Sequence, residues 1–337
     1  MDLSIIVCTH NRSGPLRAAL NHLFALQTGS ISTEIIVVDN NSTDDTAEVL
    51  RELRATAPVA MHCAFEAAQG ISYARNTGFA LARGAMVAFT DDDIEVSPGW
   101  ASQIAAAFAA HPEVDCVGGK VLPAWPPGNR PGWLTHEQWT PLAILDYGND
   151  PLYLDSNDPR CLVGANFAFR RTVFGRIGGF SPAVQRVKNS IGSIEDHEFL
   201  LRLWHSGGRA LYAPQIVVVA PVDPERLNKR YHRRWYAGHG HFHALLRSPE
   251  FEHSSLGYFL GVPAHLYRQA ATDAAAWLGR VVIGKWDQAF AYETRLQFFW
   301  GFFQTRRRQL TQDVPKSGPS AELAPTPAAS SRSNGAP

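Results

Sequence analysis

Three consecutive aspartates, Asp91, Asp92 and Asp93, have the clearest chemical potential in this chain. The triplet follows the apolar run 85–89, which predicts a buried strand, and precedes the run 99–110, which predicts a helix. Open α/β sheets bind ligands at such junctions, beyond the carboxyl ends of their strands. A hard divalent cation, Mg²⁺ or Mn²⁺, would relieve the mutual repulsion and keep coordination sites for phosphate. A solvated acidic turn that caps the next helix is the alternative interpretation.

The chain around this triplet alternates between strand-like and helix-like segments. Predicted strands at 3–8, 34–38 and 61–65 alternate with predicted helices at 14–27, at about ten residues after position 45, and at 70–83. Such alternation predicts a mostly parallel sheet with right-handed crossover connections. We therefore expect an α/β fold in which residues 1–120 form a nucleotide-binding half.

The second half of the chain has a different composition. Residues 123–160 are rich in Pro, Trp, Gly and Asn, which predicts an ordered excursion whose aromatic rings either stack on an acceptor or pin the loop to the core. A strand is predicted at 162–169 and a helix at 198–204. Aromatic-rich helices are predicted at 256–309, and residues 313–337 lack large apolar side chains, which predicts a disordered tail.

Bulk composition excludes several classes of function. Lys plus Arg and Asp plus Glu number 31 each, so no global charge indicates nucleic acid as a partner. The four cysteines lack disulfide or zinc-site spacing and indicate reduced thiols in the cytoplasm: Cys8, Cys63, Cys116 and Cys161. The sequence shows neither a basic signal-peptide start nor an apolar run of about eighteen residues, so no spanning helix is predicted.

Five segments, taken in order, resemble the family 2 glycosyltransferases with the GT-A fold. They are SIIVCTHNR at 4–12, EIIVVDNNS at 34–42, SYARNTG at 72–78, DDD at 91–93 and GSIED at 192–196. The resemblance extends over about residues 3–240. It implies an inverting enzyme that moves a sugar from a nucleotide-diphospho-sugar to a hydroxyl acceptor with a divalent metal. The base in this family is commonly uracil, so a UDP-sugar is the expected donor.

The resemblance implies roles for the acidic triplet. Asp93 would be a direct metal ligand, Asp91 would support the metal and the donor, and Asp92 would hold the ribose or share the metal. The leaving diphosphate carries negative charge, which a cation beside its oxygen would stabilise. The expected cofactor is Mg²⁺ or Mn²⁺.

The resemblance implies further donor-binding residues outside the triplet. Asp39 would accept a hydrogen bond from the base, Thr9 and Asn11 would line the loop that holds base and ribose, and Arg75 would reach the diphosphate. Each position also has a structural interpretation. These are an Asx turn for Asp39, a helix cap for Thr9 and a surface ion pair for Arg75.

Direct displacement at the sugar requires a base for the acceptor hydroxyl. Asp196 is the expected base and Glu195 the second candidate, with an acidic helix N-cap as the structural alternative. His239 and His241 lie in a Gly-rich stretch, and we interpret them as structural or solvated rather than as metal ligands. Residues 233–235 match the arginine–tryptophan motif of processive enzymes poorly, which favours single addition.

The C-terminal region allows two interpretations. An aromatic group precedes a basic run at 306–308: Phe298, Phe299, Trp300, Phe302 and Phe303, with Trp277, Trp286 and Phe290 as extensions. These residues either bind the inner face of a membrane, where aromatic rings and basic residues are favoured, or pack on the catalytic domain or in a homodimer.

The predicted organisation has three parts. Residues 1–240 form the GT-A domain with an acceptor half at 121–240, residues 241–312 form the helical appendage, and 313–337 form the tail. The expected acceptor is a lipid-linked or other envelope glycan. A catalytically silent sugar-nucleotide-binding protein and a nucleotidyltransferase are the alternative functions. The loop 9–14 lacks the glycine-rich, basic character of a nucleotidyltransferase phosphate loop.

Overall fold

Nine strands of the described chain form one sheet. The computed structural model describes residues 1–128, 130–185, 191–252 and 257–311. The predicted tail at 313–337 lies outside these ranges. The strands are β1 Leu3–Thr9, β2 Thr33–Asp39, β3 Ala60–Phe65, β4 Met86–Asp91, β5 Glu95–Val96, β6 Cys116–Ala124, β7 Leu152–Leu154, β8 Phe167–Arg170 and β9 Ala210–Pro221.

The sheet is mostly parallel, as the sequence predicts. Its strand order is β3-β2-β1-β4-β8-β6-β9-β5, and β7 also pairs with β9. β3, β2, β1, β4, β6 and β9 run in one direction, whereas β8, β5 and β7 run against them. Because β8 is antiparallel to β4, the start of β8 lies at the edge of the sheet where β4 ends. Segments from both halves of the chain therefore meet at one edge.

Ten α-helices and a small hairpin complete the described structure. The helices are α1 Ser13–Phe24, α2 Thr46–Thr56, α3 Ile71–Leu81, α4 Trp100–Ala110, α5 Thr172–Ile177, α6 Glu195–His205, α7 Lys229–Leu246, α8 Pro249–Glu252, α9 Ala264–Val282 and α10 Trp286–Thr311. The hairpin comprises β10 Tyr258–Phe259 and β11 Val262–Pro263. Short 3-10 turns lie at 136–138, 140–142, 164–166, 182–184 and 224–226.

Both faces of the sheet are covered because side chains alternate along each strand. In β1, Ile5 packs with Leu16 and Leu20 of α1 in one core, whereas Ile6 packs with Ala74 of α3 in the other. Burial of one such aliphatic side chain stabilises the fold by about 1.5–3 kcal/mol. These two cores fix the strand ends that carry the polar motifs.

The C-terminal helices pack against the catalytic part of the chain. Phe298, Phe299 and Phe302 of α10 are buried in a core shared with α7 and β11, which confirms the packing interpretation for these three rings. The predicted boundary after residue 240 falls inside α7, which spans Lys229–Leu246. Among the described helices, none combines the length and the apolar character that a membrane crossing requires.

The aromatic excursion is also anchored to the core. Trp133, Leu142 and Ile144 form a small buried cluster with Val222 and Phe290, the latter from α10. Phe290, which the sequence placed on a membrane surface, is 1% exposed. For these side chains the pinning interpretation is confirmed, and the excursion connects the sheet to the C-terminal helices.

Candidate active site

The acidic triplet lies at the carboxyl end of β4, next to the end of β1. Thr9 donates its hydroxyl hydrogen bond to Asp92 Oδ2 at 2.6 Å, and both side chains are buried. Arg12 Nε lies 3.3 Å from Asp92 Oδ1, and the same guanidinium pairs with Asp93. Thr9 is thus a support for Asp92 and not a helix cap, and Arg12 holds two of the three carboxylates together.

The charge of the triplet is only partly balanced. Burial raises the pKa of Asp91 to about 7, with Asp93 and Asp92 adding to the rise and Arg75 opposing it. Burial likewise raises the pKa of Asp92 to about 6 against the opposing effects of Arg12 and Thr9. The Asp91 side chain nevertheless stays 43% exposed, so a ligand can reach it. Partly buried carboxylates of raised pKa fit a hard divalent cation.

Arg75 connects the triplet to a second acidic group. Its guanidinium is 5% exposed and lies 2.5 Å from Asp196 Oδ1, 3.9 Å from Glu195 Oε1 and 4.0 Å from Asp91 Oδ1. Although burial alone would lower it, these carboxylates raise the pKa of Arg75. The family resemblance predicts that Arg75 contacts the diphosphate, with a surface ion pair as the alternative interpretation. In the structure Arg75 forms a buried ion-pair network, and its contact with the diphosphate stays a prediction.

Asp196 lies in the first turn of α6 and accepts hydrogen bonds at both oxygens. Arg75 donates to Oδ1, and the backbone N–H of Gly164 donates to Oδ2 at 2.8 Å. A Cβ atom at position 164 would come 2.6 Å from the Asp196 oxygens and closer still to Arg75 Nη2. Only glycine leaves room for this pairing. The turn Gly164–Asn166, predicted as part of a strand, therefore has a direct role in holding Asp196.

Glu195 lies beside Asp196 in a less solvated position. Its Oε2 atom is buried and has no hydrogen-bond partner among the described residues. Burial and repulsion from Asp196 raise the pKa of Glu195. Asp196 therefore has two hydrogen-bond donors that orient its carboxylate, whereas one oxygen of Glu195 has none among the described residues.

Asp39 and Asn11 shape the loop that follows β2. Asp39 Oδ1 accepts a hydrogen bond from the Ser42 N–H at 2.9 Å, which is the Asx-type alternative. Asn11 adopts a positive φ of 53° and accepts at Oδ1 from the Thr43 N–H at 2.7 Å. The Asn11 side chain therefore joins two loops, and Asp39 keeps its second oxygen for another partner.

A cleft of about 570 Å³ opens between α2 and the end of β3. Asp39 and Phe65 both line this cleft, and Phe65 is 61% exposed. Asp39 and Phe65 are register partners on neighbouring strands. An exposed aromatic ring beside a carboxylate offers a stacking surface and a hydrogen-bond acceptor, which suits a planar heterocycle.

Comparison with known proteins gives the family. The sequence model of glycosyl transferase family 2 matches residues 4–178. This chain belongs to glycosyl transferase family 2. It is 26% identical over 281 residues to a glucosyl-dolichyl phosphate glucuronosyltransferase of Haloferax volcanii, which covers 82% of each chain. It is 38% identical over 108 residues to a glycosyltransferase of Nostoc sp., which covers 32% of this chain and 33% of that one.

Solved structures agree with the GT-A fold of this glycosyltransferase. A mannosyltransferase of Pyrobaculum calidifontis, solved with GDP-Man and Mn²⁺, matches with a TM-score of 0.58 and 19% identity over 92% of this chain and 87% of that one. S. aureus TarS 1–349, solved with UDP, matches with a TM-score of 0.52 and 18% identity over 93% and 92%. The predicted family, fold class and enzyme class are confirmed.

Sequence reasoning about this glycosyltransferase missed four positions. Arg12 and Asn40 lie within the quoted motifs, yet only the structure shows Arg12 between two aspartates and Asn40 accepting from the Gly70 N–H at 2.7 Å, just before α3. Gly164 and Phe65 lie outside all five motifs. A glycine ahead of a buried strand and an aromatic residue at the end of one were the available signals.

Proposed function

We propose that this enzyme transfers one sugar from a nucleotide-diphospho-sugar to a hydroxyl acceptor with inversion at the sugar. The observation that carries the proposal is the Arg75 network. It places the candidate base Asp196 at the same edge of the sheet as the acidic triplet. A donor bound at the triplet would then present its sugar between the two acidic groups, as direct displacement requires.

Donor binding would use the cleft at the end of β2 and β3. Asp39 has an oxygen available for a base N–H, and Phe65 offers a face for stacking. A UDP-sugar is the proposed donor. Since the mannosyltransferase neighbour was solved with GDP-Man and TarS with UDP, the nucleotide is an outcome of the test described below.

The triplet supplies the ligands for Mg²⁺ or Mn²⁺. Asp93 and Asp91 would hold the ion, and Thr9 and Arg12 fix Asp92 beside them. When bound, the ion supplies positive charge that stabilises the departing diphosphate. Arg12 neutralises part of the acidic cluster, which keeps the carboxylates together before the donor arrives.

Asp196 would accept the proton of the acceptor hydroxyl. Gly164 and Arg75 orient the carboxylate by donating to its two oxygens. The hydroxyl oxygen then forms the new bond to the sugar as the bond to the diphosphate breaks, and the proton remains on Asp196. Glu195 lies next to this pair, with its Oε1 atom 3.9 Å from the Arg75 guanidinium.

The proposed acceptor is a lipid-linked glycan. The Haloferax relative is by name a glucosyl-dolichyl phosphate glucuronosyltransferase, a sugar-transfer enzyme of lipid-phosphate chemistry. A cavity of about 390 Å³ at the start of α7 is lined by three arginines and two carboxylates: Arg226, Arg230, Arg234, Asp223 and Glu225. Its arginines are the proposed contacts for the acceptor phosphate. We place the enzyme in the cytoplasm at the inner face of the membrane, with a homodimer as the alternative use of its exposed apolar surface.

The test is turnover of purified enzyme with a panel of nucleotide sugars and Mn²⁺, with lipid-phosphate glycans as acceptors. Release of a nucleoside diphosphate and a product of opposite anomeric configuration supports the proposal. Release of pyrophosphate would indicate a nucleotidyltransferase, and donor binding without turnover a silent binding protein. Asp93→Ala should lower turnover by orders of magnitude at saturating Mn²⁺, since metal assistance is worth several kcal/mol.

A further inference from the structure

A second group of ligand-type side chains lies where α6, α7 and α8 meet. His197 Nε2 lies 3.2 Å from Glu250 Oε1, and His243 Nδ1 lies 3.1 Å from the same oxygen. The three ligand atoms all lie within 4.8 Å of one another. His197 follows Asp196 directly in α6, so this group abuts the proposed base without including any residue of the acidic triplet.

The hydrogen bonds around His243 leave one of its ring nitrogens facing a carboxylate. His239 Nδ1 faces the carbonyl of Gly192 at 3.3 Å and must donate, so His239 Nε2 accepts from His243 Nε2 at 3.1 Å. A neutral His243 then has a lone pair at Nδ1. Ser248 can donate to this atom at 2.8 Å, but the carboxylate of Glu250 still faces the same lone pair at 3.1 Å. Either a proton on this nitrogen or a metal ion between the two atoms removes the repulsion, and the Co²⁺ titration below distinguishes the two.

The spacing of the atoms matches a tetrahedral metal. Zinc binds imidazole nitrogen and carboxylate oxygen at about 2.0–2.2 Å, so adjacent ligand atoms of a tetrahedral ion lie roughly 3.3–3.5 Å apart. The two distances from Glu250 Oε1, 3.1 and 3.2 Å, are within a few tenths of an ångström of that edge, and the two histidine nitrogens lie within 4.8 Å of each other. His243 is buried, His197 half-buried and Glu250 exposed, so the group is rigid on one side and open to solvent on the other.

We propose that His197, His243 and Glu250 form a binding site for a divalent transition-metal ion of the zinc class. Imidazole nitrogen selects such ions over Mg²⁺, which separates this site from the hard-cation site at the triplet. The path from His243 through His239 to the Gly192 carbonyl is the outer hydrogen-bond support that metal-bound imidazoles usually have. The ion would tie α8 and α7 to α6 one residue after Asp196.

The experiment uses the full chain, stripped with a chelator and kept in excess Mg²⁺. Titration with Co²⁺ should give the visible absorption of a tetrahedral complex at one equivalent per chain, and Zn²⁺ should displace it. His197→Ala and Glu250→Gln should weaken Co²⁺ binding by about tenfold or more. His205→Ala, an exposed histidine of the same helix, is the matched control and should bind as the wild type does.

Asp93→Ala should also retain the Co²⁺ signal, because it alters only the triplet. The proposal is overturned if the folded wild type takes up no stoichiometric Co²⁺ or Zn²⁺. It is equally overturned if Glu250→Gln, a near-isosteric change at an exposed residue, leaves the affinity unchanged. Circular dichroism tests whether each variant is folded. If a histidine variant does not fold, the wild-type titration still decides whether the chain binds a transition-metal ion.

Discussion

At the scale of single residues, Asp196 has two donors that orient it, and its side chain is 22% exposed. We expect Asp196→Asn to lower turnover by about 10²–10⁴-fold, because an amide keeps the shape but cannot take up a proton at neutral pH. Calorimetry with the nucleoside diphosphate and Mn²⁺ should give an affinity within a few-fold of wild type. Asp158→Asn, which breaks an exposed ion pair with Arg160, is the control. Loss of nucleotide binding in Asp196→Asn would make Asp196 a donor ligand.

A substitution at Gly164 tests the pairing of Asp196 with Arg75 without removing any charged side chain. In Gly164→Ala the new Cβ would overlap Arg75 and the Asp196 carboxylate, so the ion pair must move and turnover should fall at least about tenfold. Gly175→Ala in α5 is the matched control, since its Cβ meets no atom within 4 Å. That change should stabilise the fold by about 0.5–1 kcal/mol. Equal activity in the two variants would argue against the pairing.

The raised pKa of Asp91 predicts a pH-dependent stability in the absence of divalent metal. An ordinary aspartate ionises near 3.8 when unfolded, whereas the pKa of Asp91 in the fold is about 7. Stability linked to this group is fully present below about pH 4 and is lost as the pH rises to about 7. Asp91→Asn should therefore gain thermal stability relative to wild type over that range and hold a constant gain above it. Melting curves in chelator would contradict this if the difference did not change with pH.

At the scale of elements, apolar runs were sufficient to predict β1 to β4, because each of these buried parallel strands is a short continuous run. β5, which has two residues, and β6, which contains two glycines, were not predicted. The prediction of a single strand over residues 162–169 was wrong for residues 164–166. There, a 3-10 turn precedes β8 because Asn166 accepts from Trp100 Nε1 and donates to the carbonyls of Lys120 and Ile216. Those partners lie 46–66 positions away, so no local pattern could reveal the turn.

The site was predictable to a similar depth. The order of the motifs indicated which strand ends would meet, but the pairing of Arg75 with Asp196 depends on β8 running against β4, which the sequence did not indicate. The interpretation of the C-terminal aromatics rested on composition alone. Phe298, Phe299 and Phe302 proved to be buried, and only Trp300 of that group has the large exposure a membrane surface would need.

The turn between α9 and α10 carries one of the exposed apolar surfaces that remain for a membrane. Val282, Ile283 and Trp286 are 62–76% exposed beside Lys285. A variant with all three changed to Ser should lose most of its binding to anionic vesicles, because rings and basic residues favour that interface. Trp300→Ser, an exposed tryptophan roughly 20 Å further along α10, is the control. If wild type ignores vesicles at low salt, a protein contact is the better account.

At the scale of the whole molecule, the C-terminal helices cannot be removed to test their function. Phe302 is fully buried, and Phe290 lies in a core that also includes residues of the aromatic excursion. A chain truncated before residue 256 would expose these surfaces and compromise the fold along with any membrane binding. Point variants on the exposed turn are therefore the appropriate experiment.

The contacts of the candidate active site join parts of the chain that are far apart in the sequence. Thr9 reaches Asp92 across 83 positions, and Arg75 reaches Asp196 across 121. Long loops must close before such contacts repay their entropy, whereas helices form from near neighbours. During refolding, helical circular dichroism should therefore return before the capacity to bind a nucleotide sugar. Partly folded chains that lack these contacts would not bind the donor. Donor present in the solution can therefore stabilise only the last step of folding.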